Sequence, residues 1–213
     1  MTDVAANSSD SLTVRDNRTG QEYELPITDN TIAAKDLGQI STGNDVPGLA
    51  TYDPGFVNTA SCRSAVTFID GDKGILRYRG YAIEDVAKGS TYLEVAYLLI
   101  YGDLPSVDEL ATFDERIRRH TLLHEDLRRF FDALPHSAHP MSVLSSAVSA
   151  LSTYYEDSLS VHDPEQVEAT TIRLLAKLPV IAAYAHKKSL GQAFLYPDNS
   201  LSFVDNFLKL NFG

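Results

Sequence analysis

Histidines, paired arginines and carboxylates are the residues whose types and spacing could do chemistry here. His120 and His124 stand one helical turn apart, so a helix would put both imidazoles on one face, where two can hold a metal. The zinc-protease pattern needs Glu directly after the first His, and Thr121 stands there instead. A third ligand would come from His136 or His139, which nothing in the spacing brings near. Partly exposed helix histidines are the ordinary case, so no metal is assigned. Arg118-Arg119 and Arg128-Arg129, with Arg173, Lys177, Lys187 and Lys188, could build a local anion site. The default for such charges is solvated faces and weak ion pairs. Glu94, Glu109, Asp114, Glu115, Glu125 and Asp126 read as caps and solvated helix faces. Gly71-Asp72-Lys73-Gly74 lacks the spacing and the Ser or Thr of a phosphate loop, and no nucleophile elbow is present. Cys62 reads as a small, half-buried residue beside a strand, against the alternative of a reactive thiol. Intrinsic features alone offer no active site.

Composition narrows the classes. The 213 residues carry a net charge of −11 and 44% hydrophobic residues, so a sizeable core is possible. The acidic balance argues against nucleic acid and anionic membranes, though not against an anionic metabolite held by a local basic cluster. One cysteine cannot form an internal disulfide, which fits a reducing compartment. The N-terminus lacks the pattern of a signal peptide, and no apolar stretch reaches the length of a membrane span. A cytoplasmic protein is expected.

The elements that must position these residues divide in three. Residues 1–10 are small and polar and are expected to be disordered. Residues 11–81 form a β-hairpin-containing region. Leu12-Thr13-Val14 and Tyr23-Glu24-Leu25 flank a turn at 16–20, and an irregular connector with one helical turn expected near Ala33–Leu37 follows. A second hairpin pairs 64–69 with 75–79, and two strands alone are marginal, so it must lie against something. Residues 82–213 read as a helical body.

In that body, Ala82–Lys88 is a short helix ending at Gly89. Thr91 with Glu94 and Ser106 with Glu109 are capping boxes. Tyr92–Tyr101 is apolar almost all round and is expected to be buried, with Gly102 closing it. The pattern breaks near His120-Thr121 and stops at Pro135. Pro140 opens a helix with a stripe of Met141, Leu144, Val148, Leu151 and Tyr155 amid small residues, as for a central helix of a bundle. Asp163 caps a helix whose face is Val167, Thr171, Leu174, Leu175 and Leu178, and Pro179 is expected to kink or divide it. Leu201, Val204, Phe207 and Leu208 open a last helix, with Leu210 and Phe212 ending its apolar face.

Five runs carry a family resemblance. They are DPGFVNTASCRSAVTFIDGDKGILRYRGYAIEDVA, LEVAYLLIYGDLP, AHPMSVLSSAVSALSTYYEDSL, TIRLLAKLPVIAAYAHKKSLGQAFLYP and NSLSFVDNFL. In this order the chain resembles the N-terminal part of bacterial citrate synthase, most weakly over its first 45 or so residues. The resemblance implies a mainly α, multi-helix citrate-synthase-like bundle with a small N-terminal β-rich region, in which 82–213 is a truncated part of the large helical domain.

For the whole enzyme it implies condensation of acetyl-CoA with oxaloacetate and water to citrate and CoA, a step of the tricarboxylic acid cycle. A carboxylate takes a proton from the acetyl methyl group, one histidine stabilises the enol and another activates the ketone. Acetyl-CoA is then a substrate, with no tightly bound cofactor or metal, and the enzyme is a homo-oligomer. The family's HADHEQN-like and GPLHGGAN-like runs are absent, so no catalytic role falls on His120, His124, His136, His139, His162 or His186. Gly213 falls about where the catalytic half would begin, and the chain alone is expected to be inactive and prone to self-association.

Some relatives are inhibited by NADH. Arg119, His120, Thr121, Tyr155, Arg173, Lys177, Gln192 and Asn199 correspond to positions of that site, while Leu122 stands where those relatives carry methionine. The alternative function is a non-catalytic helical module that binds a nucleotide or partner protein through the basic cluster.

Overall fold

A computed structural model describes residues 10–158 and 160–213. The expected disordered segment, apart from Asp10, lies outside the described residues. The chain forms two compact units, Met1–Ser64 and Ala65–Gly213, so the second hairpin clusters with the helices.

In the first unit, β1 (Ser11–Arg15) pairs antiparallel with β2 (Glu22–Thr28), as the alternation predicts. Leu12 faces Leu25 and Val14 faces Tyr23, and Tyr23 and Leu25 are buried with Ile40. The connecting turn holds because Asp16 accepts the Arg18 N–H at 2.9 Å and pairs with its guanidinium at 2.8 Å. β3 (Thr31–Ile32) returns through Asp29-Asn30, both at positive φ, the backbone of a tight hairpin turn. The expected helical turn is a 3₁₀ turn over Ala34–Gln39. A Cβ on Gly48 would overlap the Gly38 carbonyl, so glycine is required at that crossing. Cys62 is exposed, not half-buried, because the strand it was expected to flank starts five residues later.

In the second unit, β4 (Thr67–Asp70) pairs with β5 (Ile75–Tyr78), and β6 (Tyr81–Ala82) extends the sheet. β5 and β6 pack on α1 (Ile83–Gly89), yet Phe68 and Ile69 of β4 stay exposed. The hairpin is therefore seated by its β5 and β6 side and by polar ties, not by its whole apolar content. Arg79 donates to the Leu99 carbonyl at 2.8 Å and Tyr81 to Asp103 at 2.6 Å.

The helices follow their caps. α2 (Tyr92–Tyr101) and α3 (Val107–Arg119) begin at the capping boxes of Thr91 and Ser106. Gly102 ends α2 at φ 103°, a left-handed residue that glycine adopts without penalty. α4 (Glu125–Asp132) starts at His124, α5 (Pro140–Leu151) at His139, α6 (Pro164–Leu190) at Asp163 and α7 (Phe203–Phe212) at Ser202. Mainly α, with small β-rich parts, is the fold class expected from the sequence.

Burial phases differ from the sequence reading. α2 buries Leu93 and Leu98, while Tyr92 and Tyr101 are exposed. α5 buries Val143, Ala147 and Leu151, leaving Met141 and the serines at 142, 145, 146 and 149 exposed. α6 buries Ile172, Ala176, Val180, Ile181 and Tyr184, while Val167 is exposed. α7 buries Asn206 and Leu210, leaving Val204, Leu208 and Phe212 outside. Pro179 does not divide α6, which stays helical over 27 residues. Packing on both sides of the proline outweighs the one hydrogen bond it removes.

α6 is the hub. One core joins it to Leu127 and Phe131 of α4, Val143 and Ala147 of α5 and Leu210 of α7. A second joins it to Leu93 of α2 and Phe113 and Ile117 of α3. Its lysines also close neighbouring helices, where carbonyls without helical partners attract cations. Lys177 donates to the His120 and Leu122 carbonyls after α3, Lys188 to that of Asp132 in α4, and Lys187 to that of Gly213 after α7.

Candidate functional site

The histidines are engaged in local structure. α3 ends before His120, so His120 and His124 do not share a helix face. His120 Nδ1 is 2.7 Å from the Arg116 carbonyl. His124 accepts the Asp126 N–H as the N-cap of α4 and packs on Tyr154, 4.8 Å between ring centres. His139 caps α5 in the same way. His136 Nδ1 lies 2.6 Å from the Lys188 carbonyl, and His186 meets the edge of Phe212. Among the described residues no group of three His, Cys, Asp or Glu is placed to hold a metal.

The basic residues separate into two kinds. Arg119 pairs with Glu115, Arg129 with Asp126 and Arg118 with Asp114 along their own helices, the solvated ion pairs expected by default. Arg173 and Lys177 differ. They stand one turn apart on α6 and both face the ring of Tyr155, the Arg173 guanidinium at 4.5 Å and Lys177 Nζ at 5.4 Å from its centre. Arg173 also makes a two-pronged pair with Asp157 at 3.1 and 3.2 Å. Lys177 is 2% exposed. Burial, then the nearby Arg173 charge, pushes its amine down to about 8. Burial likewise pushes the Tyr155 phenol up. A recess of about 200 Å³ opens beside these groups, lined by Val148, Leu151, Ser152, Tyr155, Thr170, Arg173 and Leu174. An apolar floor with one guanidinium at the rim suits a flat ring carrying an anionic group.

The family model described as "Citrate synthase, C-terminal domain" matches residues 55–213. The chain belongs to the citrate synthase family. Citrate synthase 1 of Mycobacterium tuberculosis (strain H37Rv) is 58% identical over 210 residues, which is 98% of this chain and 48% of that relative. The citrate synthase of Corynebacterium glutamicum is 54% identical over 196 residues, 91% of this chain and 44% of that one. The chain spans about half the length of the curated relatives it matches. Among solved structures, citrate synthase from Pyrobaculum aerophilum aligns with TM-score 0.69 and 34% identity over 82% of this chain and 44% of that one. The Thermotoga maritima enzyme aligns with TM-score 0.63 and 31% identity over 76% and 42%.

In this chain, the eight positions singled out by resemblance are only partly together. Tyr155, Arg173 and Lys177 are in contact range, and Lys177 reaches the backbone of His120. Thr121 joins them through its hydroxyl, 3.0 Å from the Arg118 carbonyl and 3.1 Å from Asn199 Oδ1. Arg119 turns outward to Glu115. Gln192 lies past the far end of α6 and accepts from Lys187 at 3.0 Å. At 1.5 Å per residue, that is roughly 20 Å along the helix from Lys177. Sequence reasoning missed Asp157 as the partner of Arg173 and missed the burial of Lys177. The apolar run Leu174-Leu175-Ala176 and Leu178 around Lys177 was the available signal.

Proposed function

We propose that this chain forms the N-terminal half of a citrate synthase subunit, and that the complete subunit condenses acetyl-CoA with oxaloacetate and water to citrate and CoA. The observation that carries this reading is 58% identity across nearly the whole chain with less than half of the relative covered. Acetyl-CoA then enters as a substrate, without a tightly bound cofactor. The subunit works in the cytoplasm as a homo-oligomer, without nucleic acid or membrane. The groups that stabilise the transition state belong to the other half, so no catalytic residue is assigned in this chain. Thiol release from acetyl-CoA and oxaloacetate tests it. The 213-residue chain alone stays at background, and a chain extended by the following half of the Mycobacterium tuberculosis relative turns over. Turnover by the short chain, or silence in both, overturns the reading.

The recess beside Tyr155 favours a second role. We propose that it takes NADH as a regulatory ligand, its ring on the apolar floor and a phosphate displacing the Asp157 carboxylate from Arg173. Titrating NADH while following tyrosine fluorescence measures binding, with inorganic phosphate as the control. Arg173→Gln weakens NADH by about tenfold or more, since a hydrogen bond to a charged group contributes about 1.5–3 kcal/mol. Equal binding by the variant, or none at millimolar NADH, removes this role.

A further inference from the structure

The guanidinium beside the Tyr155 recess already holds an anion. Asp157 meets Arg173 with both carboxylate oxygens, at 3.1 and 3.2 Å. The two partners differ in burial: the Arg173 side chain is 17% exposed and that of Asp157 is 72% exposed. Arg173 is fixed on α6 with its guanidinium 4.5 Å from the Tyr155 ring centre, a contact that does not involve Asp157. Asp157 instead reaches in from solvent. It stands on a three-residue 3₁₀ turn, Glu156–Ser158, in the connector between α5 and α6. The hydrogen bond to Arg173 holds the Asp157 carboxyl below its usual value, so near neutral pH it is an ionised carboxylate.

We propose that Asp157 is a tethered competitor for this recess: its carboxylate occupies the place of a ligand's phosphate and swings out when an anionic ring binds. The inference rests on the reading that the recess takes such a ring, and it adds what restrains binding there. A short tether keeps the carboxylate at a local concentration in the millimolar range, which a free anion must outcompete. Release is within reach because an exposed carboxylate regains its water on leaving. A phosphate monoester is suited to displace it, with three acceptor oxygens and close to two negative charges against two oxygens and one charge. The Arg173 guanidinium stays against Tyr155 and passes from one anion to the other.

Asp157→Asn tests the competitor, because it keeps the shape of the side chain and removes its charge. Glu156→Gln is the control. Glu156 is exposed on the same turn and carries the same charge, but makes no ion pair among the described residues. Both substitutions are at exposed positions and leave the circular dichroism spectrum unchanged. Phenyl phosphate, a flat ring with one phosphate, and NADH are titrated separately into the 213-residue chain, with amide NMR shifts at residues 155–157 and 173 as the readout. Asp157→Asn binds phenyl phosphate about fivefold more tightly than the parent, the upper end for an exposed ion pair. Glu156→Gln changes binding by less than about twofold, and Arg173→Gln added to Asp157→Asn abolishes the gain. The proposal is overturned if Asp157→Asn binds phenyl phosphate no more tightly than the parent, or not at all at millimolar concentration. It is also overturned if Glu156→Gln gains as much, since general charge repulsion then accounts for the effect. The NADH titration separates this inference from the reading beneath it. Tighter phenyl phosphate binding by Asp157→Asn with no NADH binding by either chain removes NADH and supports the competitor. Equal NADH binding by parent and variant keeps NADH and overturns the competitor.

Discussion

Replacing Phe131 by alanine lowers the stability of the helical unit by about 3–5 kcal/mol, the usual loss for deleting a fully buried aromatic ring. Phe131 is 0% exposed and occupies the junction of α4 with α6 and the irregular segment after it. Its ring meets Phe130, Tyr184 and Phe194 edge-on at 5.8, 5.6 and 5.9 Å. Such edge-to-face pairs add to burial itself. Domains of this kind are stable by about 5–15 kcal/mol in total, so the variant is left marginal. Urea unfolding followed by circular dichroism measures the loss. The control is Arg129→Ala, on the outer face of the same helix, where an 81% exposed side chain makes one ion pair with Asp126 at 3.1 Å. Its expected effect is within about 0.5 kcal/mol. Comparable losses at both positions would show that α4 is not anchored through Phe131.

The contrast between those two residues of one helix marks what the sequence could and could not convey. Helix ends were legible because their causes are local. Thr91 with Glu94, Ser106 with Glu109, Asp163 before Pro164, and Gly102 each satisfy backbone groups within one turn. Burial phase was less legible where apolar or small residues occupy several faces. On α5 the stripe through Met141 and Leu144 competes with the one through Val143 and Ala147, and only the presence of α4 and α6 selects the second. The continuity of α6 through Pro179 is a tertiary effect of the same kind. The recess at Tyr155 depends on contacts between residues far apart in the chain. Lys177 meets His120 across 57 positions and Arg173 meets Asp157 across 16. Charge counting marked both cations as candidates, yet it could not separate the buried Lys177 from the solvated Arg119. That separation is set by packing around α6, where one side chain points into the unit and the other away from it.

The helical unit is expected to self-associate, and α7 identifies where. Val204, Leu208 and Phe212 are exposed on its outer face. Tyr92 stacks on Phe203 at 4.8 Å beside an apolar groove of about 470 Å³ lined by Leu175, Leu178, Ala182, Val204 and Phe207. Covering each such side chain contributes about 1.5–3 kcal/mol, and few apolar patches of this kind stay bare on a stable monomer. Sedimentation velocity over a concentration series therefore shows association at micromolar concentration. Val204→Glu with Leu208→Lys shifts the chain strongly toward monomer. The pair is spaced i, i+4 with the acid first, so it supports the helix it modifies and leaves the circular dichroism spectrum unchanged. Salt distinguishes the cause. The chain carries a net charge of −11, which opposes the approach of two copies. Association through apolar faces strengthens as salt screens that repulsion, whereas association through opposite charges weakens. A double variant that associates like the parent, or association that dissolves in salt, would move the adhesive surface away from α7 and onto the charged faces of α3 and α4.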